Sequence, residues 1–213
     1  LLIFLYSTMT LTSFLTAQAE VIRIVSDWQG SVFGDIGGQD KITYENFEIT
    51  ENNDHTVKLR SSNNRGKIAS SSEGIAYYFK EIPADANFEL TAKAHVESFA
   101  MNNQVSFGLM IRDKVLYNKS TNETLGNYLA VGPIDVTKEP AKIVFYRTDS
   151  LVKLGDLRNE PVPAAGCVYD LSIKKSGTTY ILTFGKEEPV IVEDFTSFKG
   201  DTIFAGFFTS RNT

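Results

Sequence analysis

Two stretches in which apolar and polar residues alternate constrain the fold more than any other feature of this chain. Residues 88–96 carry an apolar side chain at every second position, and residues 105–111 repeat the pattern after an Asn102-Asn103 turn. Successive side chains of a strand point to opposite faces, so the pattern predicts a half-buried antiparallel pair of strands. No stretch keeps a helical period over three turns. The sequence therefore predicts an all-β fold.

Short strand candidates, separated by clusters of turn-forming residues, continue along the rest of the chain. They span residues 44–49, 56–61, 74–80, 87–99, 104–112, 127–131, 142–147, 168–174, 179–184, 190–192 and 202–210. Their hairpin-like spacing indicates two antiparallel sheets packed face to face, as in a β-sandwich or jelly roll. Residues 117–126 and 151–166 lack a strand pattern, and we expect them to form surface loops.

Composition fits one domain with a large core. The chain has 213 residues, of which 42% are hydrophobic and 12% aromatic. All-β domains of this size often stay undivided, and this apolar content is too high for a disordered chain. The net charge is -5, and lysine and arginine are scattered. The charge pattern therefore argues against nucleic acid as a partner.

The first nineteen residues predict a signal peptide, followed by a β-sandwich domain over residues 20–213. Residues 1–15 are apolar and uncharged, and Thr16-Ala17-Gln18-Ala19 ends in the small-x-small pattern of a cleavage site. The alternative is a membrane anchor, but the polar-interrupted run falls short of the ~20 residues that span a bilayer. We therefore expect a secreted or cell-surface protein with no membrane contact after cleavage.

Both ends of the chain suggest truncation. It begins with Leu1 rather than methionine and lacks the basic start of a signal peptide. It also ends three residues after the strand candidate at residues 202–210, whereas a sandwich usually closes with a strand beside its first strand. We expect a start that is missing, and an incomplete C-terminus is a further interpretation.

Metal and cysteine chemistry have little support. The histidines His55 and His95 stand apart, without zinc-ligand spacing. A single Cys167 excludes an intrachain disulfide and is either a small buried hydrophobe or a nucleophile beside a histidine. No cofactor is expected. Asn52-Asn53-Asp54 and residues 35–40 are either solvated turns or oxygen ligands of a structural calcium ion.

Catalytic carboxylates with the right spacing are missing. A retaining glycosidase needs two carboxyl groups about 5–5.5 Å apart. Glu89 and Glu97 share one predicted strand face, but eight residues separate them, which is about 27 Å along a strand. We therefore assign no catalytic residue.

Side chains suited to sugar binding are scattered over the strand candidates. Sugars are bound by aromatic rings and by planar polar groups that satisfy hydroxyls. The candidates are Trp28, Asn103, Gln104, Arg112, Tyr128, Tyr146 and Arg147. Arg112 is predicted to point away from the core, although an ion pair with a carboxylate such as Asp113 is an alternative. Trp28 is either a sugar platform or a lid on the core, and residues 77–79 should turn at least one ring outward.

Several segments resemble one known type of module. Residues 65–79, 87–90, 103–113, 128–132 and 205–208 are similar to the concanavalin A-like, laminin-G-like β-sandwich regions of secreted bacterial polysaccharide-degrading proteins, notably pectate lyases and exopolygalacturonate lyases. The Gly108-Leu109-Met110-Ile111-Arg112-Asp113 run is the best marker. The resemblance implies an accessory role, with the lyase chemistry in a separate domain, and it transfers no catalytic residue.

We therefore predict a secreted, non-catalytic β-sandwich module that binds a polysaccharide or assists a polysaccharide lyase or glycoside hydrolase. The expected partners are a pectin-like polysaccharide and further domains of the same chain. One alternative is a sandwich glycosidase or lyase whose acid and base come from separate strands. The other is a structural or adhesive module without affinity for sugar.

Overall fold

The computed structural model describes residues 20–21, 28–35, 47–52, 56–61, 66–70, 72–101, 104–115, 119–120, 126–137, 140–211 and 213. The strands of these residues are β1 (Glu20–Val21), β2 (Gln29–Gly34), β3 (Phe47–Glu51), β4 (Val57–Ser61), β5 (Lys67–Ile68), β6 (Glu73–Pro83), β7 (Phe88–His95), β8 (Ser106–Arg112), β9 (Lys119–Ser120), β10 (Tyr128–Ile134), β11 (Lys142–Arg147), β12 (Leu151–Asp156), β13 (Val168–Ser176), β14 (Thr179–Phe184), β15 (Val190–Val192) and β16 (Thr202–Ser210). The described part of the chain contains no helix that is long and apolar enough to cross a bilayer. Residues 1–19, where the signal peptide is predicted, lie outside the described part.

The strands form a smaller and a larger sheet. The smaller sheet has the order β1-β7-β13-β14-β15, and the larger has the order β12-β11-β10-β8-β16-β6-β2-β9, with β5 also paired to β6. Most neighbours are antiparallel, while β1 with β7 and β2 with β9 are parallel. Strands β3 and β4 make a separate two-stranded ribbon. The prediction of an all-β sandwich is confirmed.

The core between the two sheets follows from the alternation along the strands. Leu109 and Ile111 of β8 face Leu171 and Ile173 of β13 across this core, and all four are 3% exposed or less. Because polar residues occupy the alternate positions of β7 and β13, the other face of the smaller sheet is turned to solvent.

The larger sheet is buried on its second face as well. There, Phe33, Tyr77, Met110, Tyr128 and Phe145 belong to a separate apolar cluster, which we call the second core. Strands β8 and β10 are consequently buried at every position. In β8, one face carries Ser106, Gly108 and Arg112, so its sequence alternates like that of a half-buried strand. Periodicity alone therefore could not show that the second face is covered as well.

Several predictions about strands and loops were wrong, and strand β9 lies within the predicted loop at residues 117–126. Strands β7 and β8 do not pair with each other, because β7 lies between β1 and β13 while β8 lies between β10 and β16. The predicted loop at residues 151–166 begins with strand β12, which pairs with β11. All rings of residues 77–79 are buried, because both faces of β6 are covered.

Candidate functional site

Three of the predicted sugar-binding residues lie side by side on the second face of the larger sheet. Tyr128 of β10 is the register partner of Arg112 on one side and of Arg147 on the other. Directly opposed residues of neighbouring strands point to the same face. The strand order thus gathers these residues into one row across β8, β10 and β11, although they are distant in sequence.

Arg112 is a buried member of an ion pair. Its side chain has 0% exposure, and its Nη2 and Nη1 atoms donate to the two oxygens of Glu73 at 2.5 and 3.0 Å. Burial lowers the pKa of Arg112, but the adjacent Glu73 carboxylate outweighs this and raises it, so the guanidinium stays charged. Arg112 lies on the opposite face from Leu109 and Ile111 and forms an ion pair, as predicted, but the second core covers this face and the carboxylate partner is Glu73 rather than Asp113.

Aromatic rings complete the surroundings of the guanidinium. Its central carbon lies 4.8 Å from the ring centre of Phe33, 5.7 Å from that of Tyr128 and 5.9 Å from that of Tyr77. These distances are within the range of cation–π attraction. The group is enclosed on several sides, so Arg112 is part of the second core and has no surface on which a polymer could lie.

The two tyrosines of this cluster differ in their hydrogen bonds. The Tyr77 hydroxyl donates to the carbonyl oxygens of Met110 and Phe204, at 2.9 and 2.8 Å. The Tyr128 hydroxyl is buried without a hydrogen-bond partner. Burial raises the pKa of both phenols far above the usual value, so both stay neutral.

Arg147 ends the row, and the remaining predicted residues are dispersed. Arg147 is half-buried and donates to the carbonyl oxygens of Ser70 and Gly126, at 2.8 and 3.3 Å. Trp28, 8% exposed, stacks on Tyr78 at 5.2 Å between ring centres and so forms a lid on the sandwich core. Tyr146 packs edge-on against Phe195.

Gln104 is half-buried in the turn before β8. Asn103 lies outside the described residues, as do Asn53, Asp54 and residues 36–40 of the calcium hypotheses. His55 is likewise outside them.

The buried carboxylates of the described residues have structural partners. Glu73 pairs with Arg112, and Asp135 pairs with Lys153. Glu187 accepts hydrogen bonds from the backbone N–H groups of residues 158, 159 and 160, at 2.7, 2.6 and 2.8 Å. The described residues contain no group of three histidine, cysteine, aspartate or glutamate side chains placed to bind a metal.

An open depression lies on the solvent face of the smaller sheet. We call it the hydroxyl trough, and it is lined by Thr91, Ala92, Lys93, Asp170, Leu171, Ser172 and Thr183, with a volume of about 460 Å³. Its hydroxyl side chains stand on three neighbouring strands, because Ser172 of β13 is the register partner of both Thr91 of β7 and Thr183 of β14. Neighbouring strands are about 4.8 Å apart, so the row is about 10 Å long.

Charged side chains stand on both sides of the hydroxyl row. Lys93 and Asp170 are cross-strand partners on one side and form an ion pair of 2.8 Å, with 59% and 75% of their side chains exposed. On the other side, Glu89 and Lys174 are cross-strand partners. The alternation along β7 predicted a polar face with Glu89 on it, but the register that joins β7, β13 and β14, and with it the trough, had no signal in the sequence.

Comparison with known proteins relates the chain to polysaccharide lyases. The pectate disaccharide-lyase N-terminal domain family matches residues 27–128. Pectate lyase L of Thermoclostridium stercorarium is 38% identical over 198 residues, which cover 92% of this chain and 15% of that protein. The chain thus spans a small part of the length of this relative.

Solved structures similar to this chain include the lectin UEA-II complexed with galactose, which has a TM-score of 0.49 and 10% identity over 85% of this chain and 89% of the lectin. A Bacillus subtilis protein of unknown function with a galectin-like fold has a TM-score of 0.43 and 11% identity, with 88% of each chain covered.

The sequence matches confirm the predicted resemblance. The chain is similar to β-sandwich accessory modules of polysaccharide lyases.

Proposed function

We propose that the chain is a secreted, non-catalytic module that binds the polysaccharide of a lyase, and that this polysaccharide is pectate. The chain is similar to a pectate lyase but matches only 15% of its length. This small share favours an accessory role beside a larger catalytic part. The apolar start of the chain and its small-x-small sequence support secretion.

The buried carboxylates Glu73, Asp135 and Glu187 support the non-catalytic part of the proposal. A glycosidase needs an acid and a base on either side of the scissile bond, free to exchange protons. The buried carboxylates of Glu73, Asp135 and Glu187 instead hold an arginine, a lysine and a row of backbone N–H groups. Their partners give each of them a structural role.

A second candidate is a structural module that packs against the rest of a lyase without binding sugar. The large apolar side chains exposed on the described residues are Met101, Val162, Val168 and Ile191, and none is aromatic. Because sugar platforms are usually aromatic rings, this surface favours packing over stacking. The two candidates therefore make opposite predictions for binding.

The test is binding of the chain to insoluble homogalacturonan, xylan and β-glucan, followed by calorimetry with soluble oligosaccharides. Saturable binding to homogalacturonan without release of unsaturated products supports the proposal. A folded protein that binds none of the three supports the structural module, and product release identifies an enzyme. Repetition with a chelator tests whether the chain binds a structural calcium ion. If it does, removal of the ion should lower the melting temperature.

A further inference from the structure

We infer that the hydroxyl trough is the polysaccharide site, and that it holds an extended chain bearing carboxylates through Lys93, Lys174 and the row Thr91–Ser172–Thr183. This inference rests on the proposed function and adds to it the location and the chemistry of binding. The trough lies on the solvent face of the smaller sheet, opposite the sandwich core and far from the buried row of Arg112 and Tyr128.

The floor of the trough suits a hydroxyl-rich polymer. Ser172 and Thr183 are half-buried and Thr91 is exposed, and all three lie on the solvent face of the smaller sheet. A hydroxyl is both a donor and an acceptor, and a row of them can match successive sugar hydroxyls without stacking. The absence of exposed aromatic rings on the described surface is consistent with this mode of recognition.

Each wall of the trough carries a lysine opposite a carboxylate, Lys93 opposite Asp170 and Lys174 opposite Glu89, so a ligand carboxylate competes with these residues for the ammonium groups. Lys93 is held by Asp170, but an ion pair this exposed is weak, so a ligand carboxylate can compete with Asp170 for the ammonium group. Lys174 is exposed on β13, four residues beyond Asp170, on the same face.

Lys174 is therefore about 14 Å from the Lys93–Asp170 row, measured along the strand. A single sugar cannot contact both walls. We therefore expect oligosaccharides, but not monomeric uronic acid, to bind.

The test compares variants of the chain in calorimetry with homogalacturonan oligosaccharides. Lys93→Gln should lower affinity roughly ten-fold, because it removes one charge-assisted contact. Asp170→Asn should raise affinity roughly two- to five-fold, because it removes the competitor for Lys93. An increase of this kind is not expected if Asp170 has only a structural role.

Matched controls separate the trough from the rest of the surface. Thr183→Val keeps the shape of the side chain and removes one hydroxyl of the row, whereas Thr179→Val makes the same change on the same strand outside the trough. Lys186→Gln is the control for Lys93→Gln, since Lys186 is exposed in the turn after β14. We expect both controls to bind like the wild type, and Thr183→Val to bind more weakly at an unchanged melting temperature.

The ligand is tested with fully methyl-esterified homogalacturonan, which should bind at least ten-fold more weakly than the free acid. Equal binding of the two polymers would refute the role of the carboxylates. Unchanged affinity in Lys93→Gln and Thr183→Val would refute the site and leave the proposed function intact, whereas a wild type that binds nothing would refute both. A loss of affinity in Asp170→Asn would indicate a bridging cation and would also refute the direct contact.

Discussion

Arg112 is a charged residue buried in the apolar second core. The charge is tolerated since Glu73 neutralises it with two hydrogen bonds and since rings surround the guanidinium. A buried pair of this kind contributes little net stability compared with apolar residues of the same shape. Removal of one partner, however, leaves the other as a buried, uncompensated charge, which lowers stability.

Arg112→Met should therefore lower the free energy of unfolding by about 3–5 kcal/mol, because the Glu73 carboxylate is left buried without its partner. The double variant Arg112→Met with Glu73→Leu should recover most of that loss. Urea denaturation of both variants measures the difference. Equal destabilisation of the single and double variants would show that packing, and not the stranded charge, accounts for the loss.

Tyr77 and Tyr128 offer a matched comparison of two buried phenols in the same cluster. Tyr77→Phe removes a hydroxyl that donates to the Met110 and Phe204 carbonyl oxygens, and it should cost about 1–2 kcal/mol of stability. Tyr128→Phe removes a hydroxyl without a partner and should be neutral or slightly stabilising. Thermal unfolding of the two variants decides this, and a large loss in Tyr128→Phe would reveal an ordered water at its hydroxyl.

At the scale of elements, the edge hairpin of β11 and β12 is held by charge as well as by its backbone ladder. Asp156 of β12 is the register partner of Lys142 and accepts hydrogen bonds from both Lys142 and Arg158. The hydrogen bond from Lys142, followed by that from Arg158, lowers the pKa of Asp156 below its usual value. The paired, ionised form is therefore favoured in the folded state.

Because the pKa of Asp156 is lower in the folded than in the unfolded protein, its contribution to stability is present above about pH 4 and is lost as the pH falls through the folded value. The wild type should melt at a higher temperature than Asp156→Asn at pH 7. The difference should shrink as the pH falls below about 4. A constant difference over this pH range would mean that Asp156 acts through hydrogen bonds alone.

For the whole molecule, strand β16 decides whether the larger sheet exists. It lies between β6 and β8 and pairs with both, so it joins the two halves of the sheet. The family match covers residues 27–128 and ends at the first residue of β10. A fragment with these limits lacks β16 and also lacks β13, the antiparallel partner of β7.

We therefore expect the fragment of residues 27–128 to remain unfolded, although it contains the whole region of the family match. Its amide NMR spectrum should lack the dispersion of the complete chain, and it should show no cooperative melting transition. Addition of a separate fragment of residues 129–213 is the control, since it can restore the missing strands. A cooperative transition in the first fragment alone would contradict the assignment of β16 as the central strand.

The sequence predicted individual strands better than their partners. The bounds of β11, β14, β15 and β16 agree with the predicted ranges, because each shows clear alternation or a short β-branched run between turns. Pairing depends on contacts between distant segments, so the placement of β7 and β8 in different sheets had no local signal. The burial of Arg112 was missed for the same reason, since its partner Glu73 belongs to another strand.

The central position of β16 also affects how the chain must be made. Until synthesis reaches residues 202–210, β6 and β8 have no partner between them, and each presents an open row of backbone N–H and C=O groups. A nascent chain therefore cannot assemble the larger sheet progressively from its N-terminus, and the open edges of β6 and β8 stay exposed to aggregation until residues 202–210 have been synthesised. We therefore expect the nascent chain to depend on chaperones until β16 is available to pair with β6 and β8.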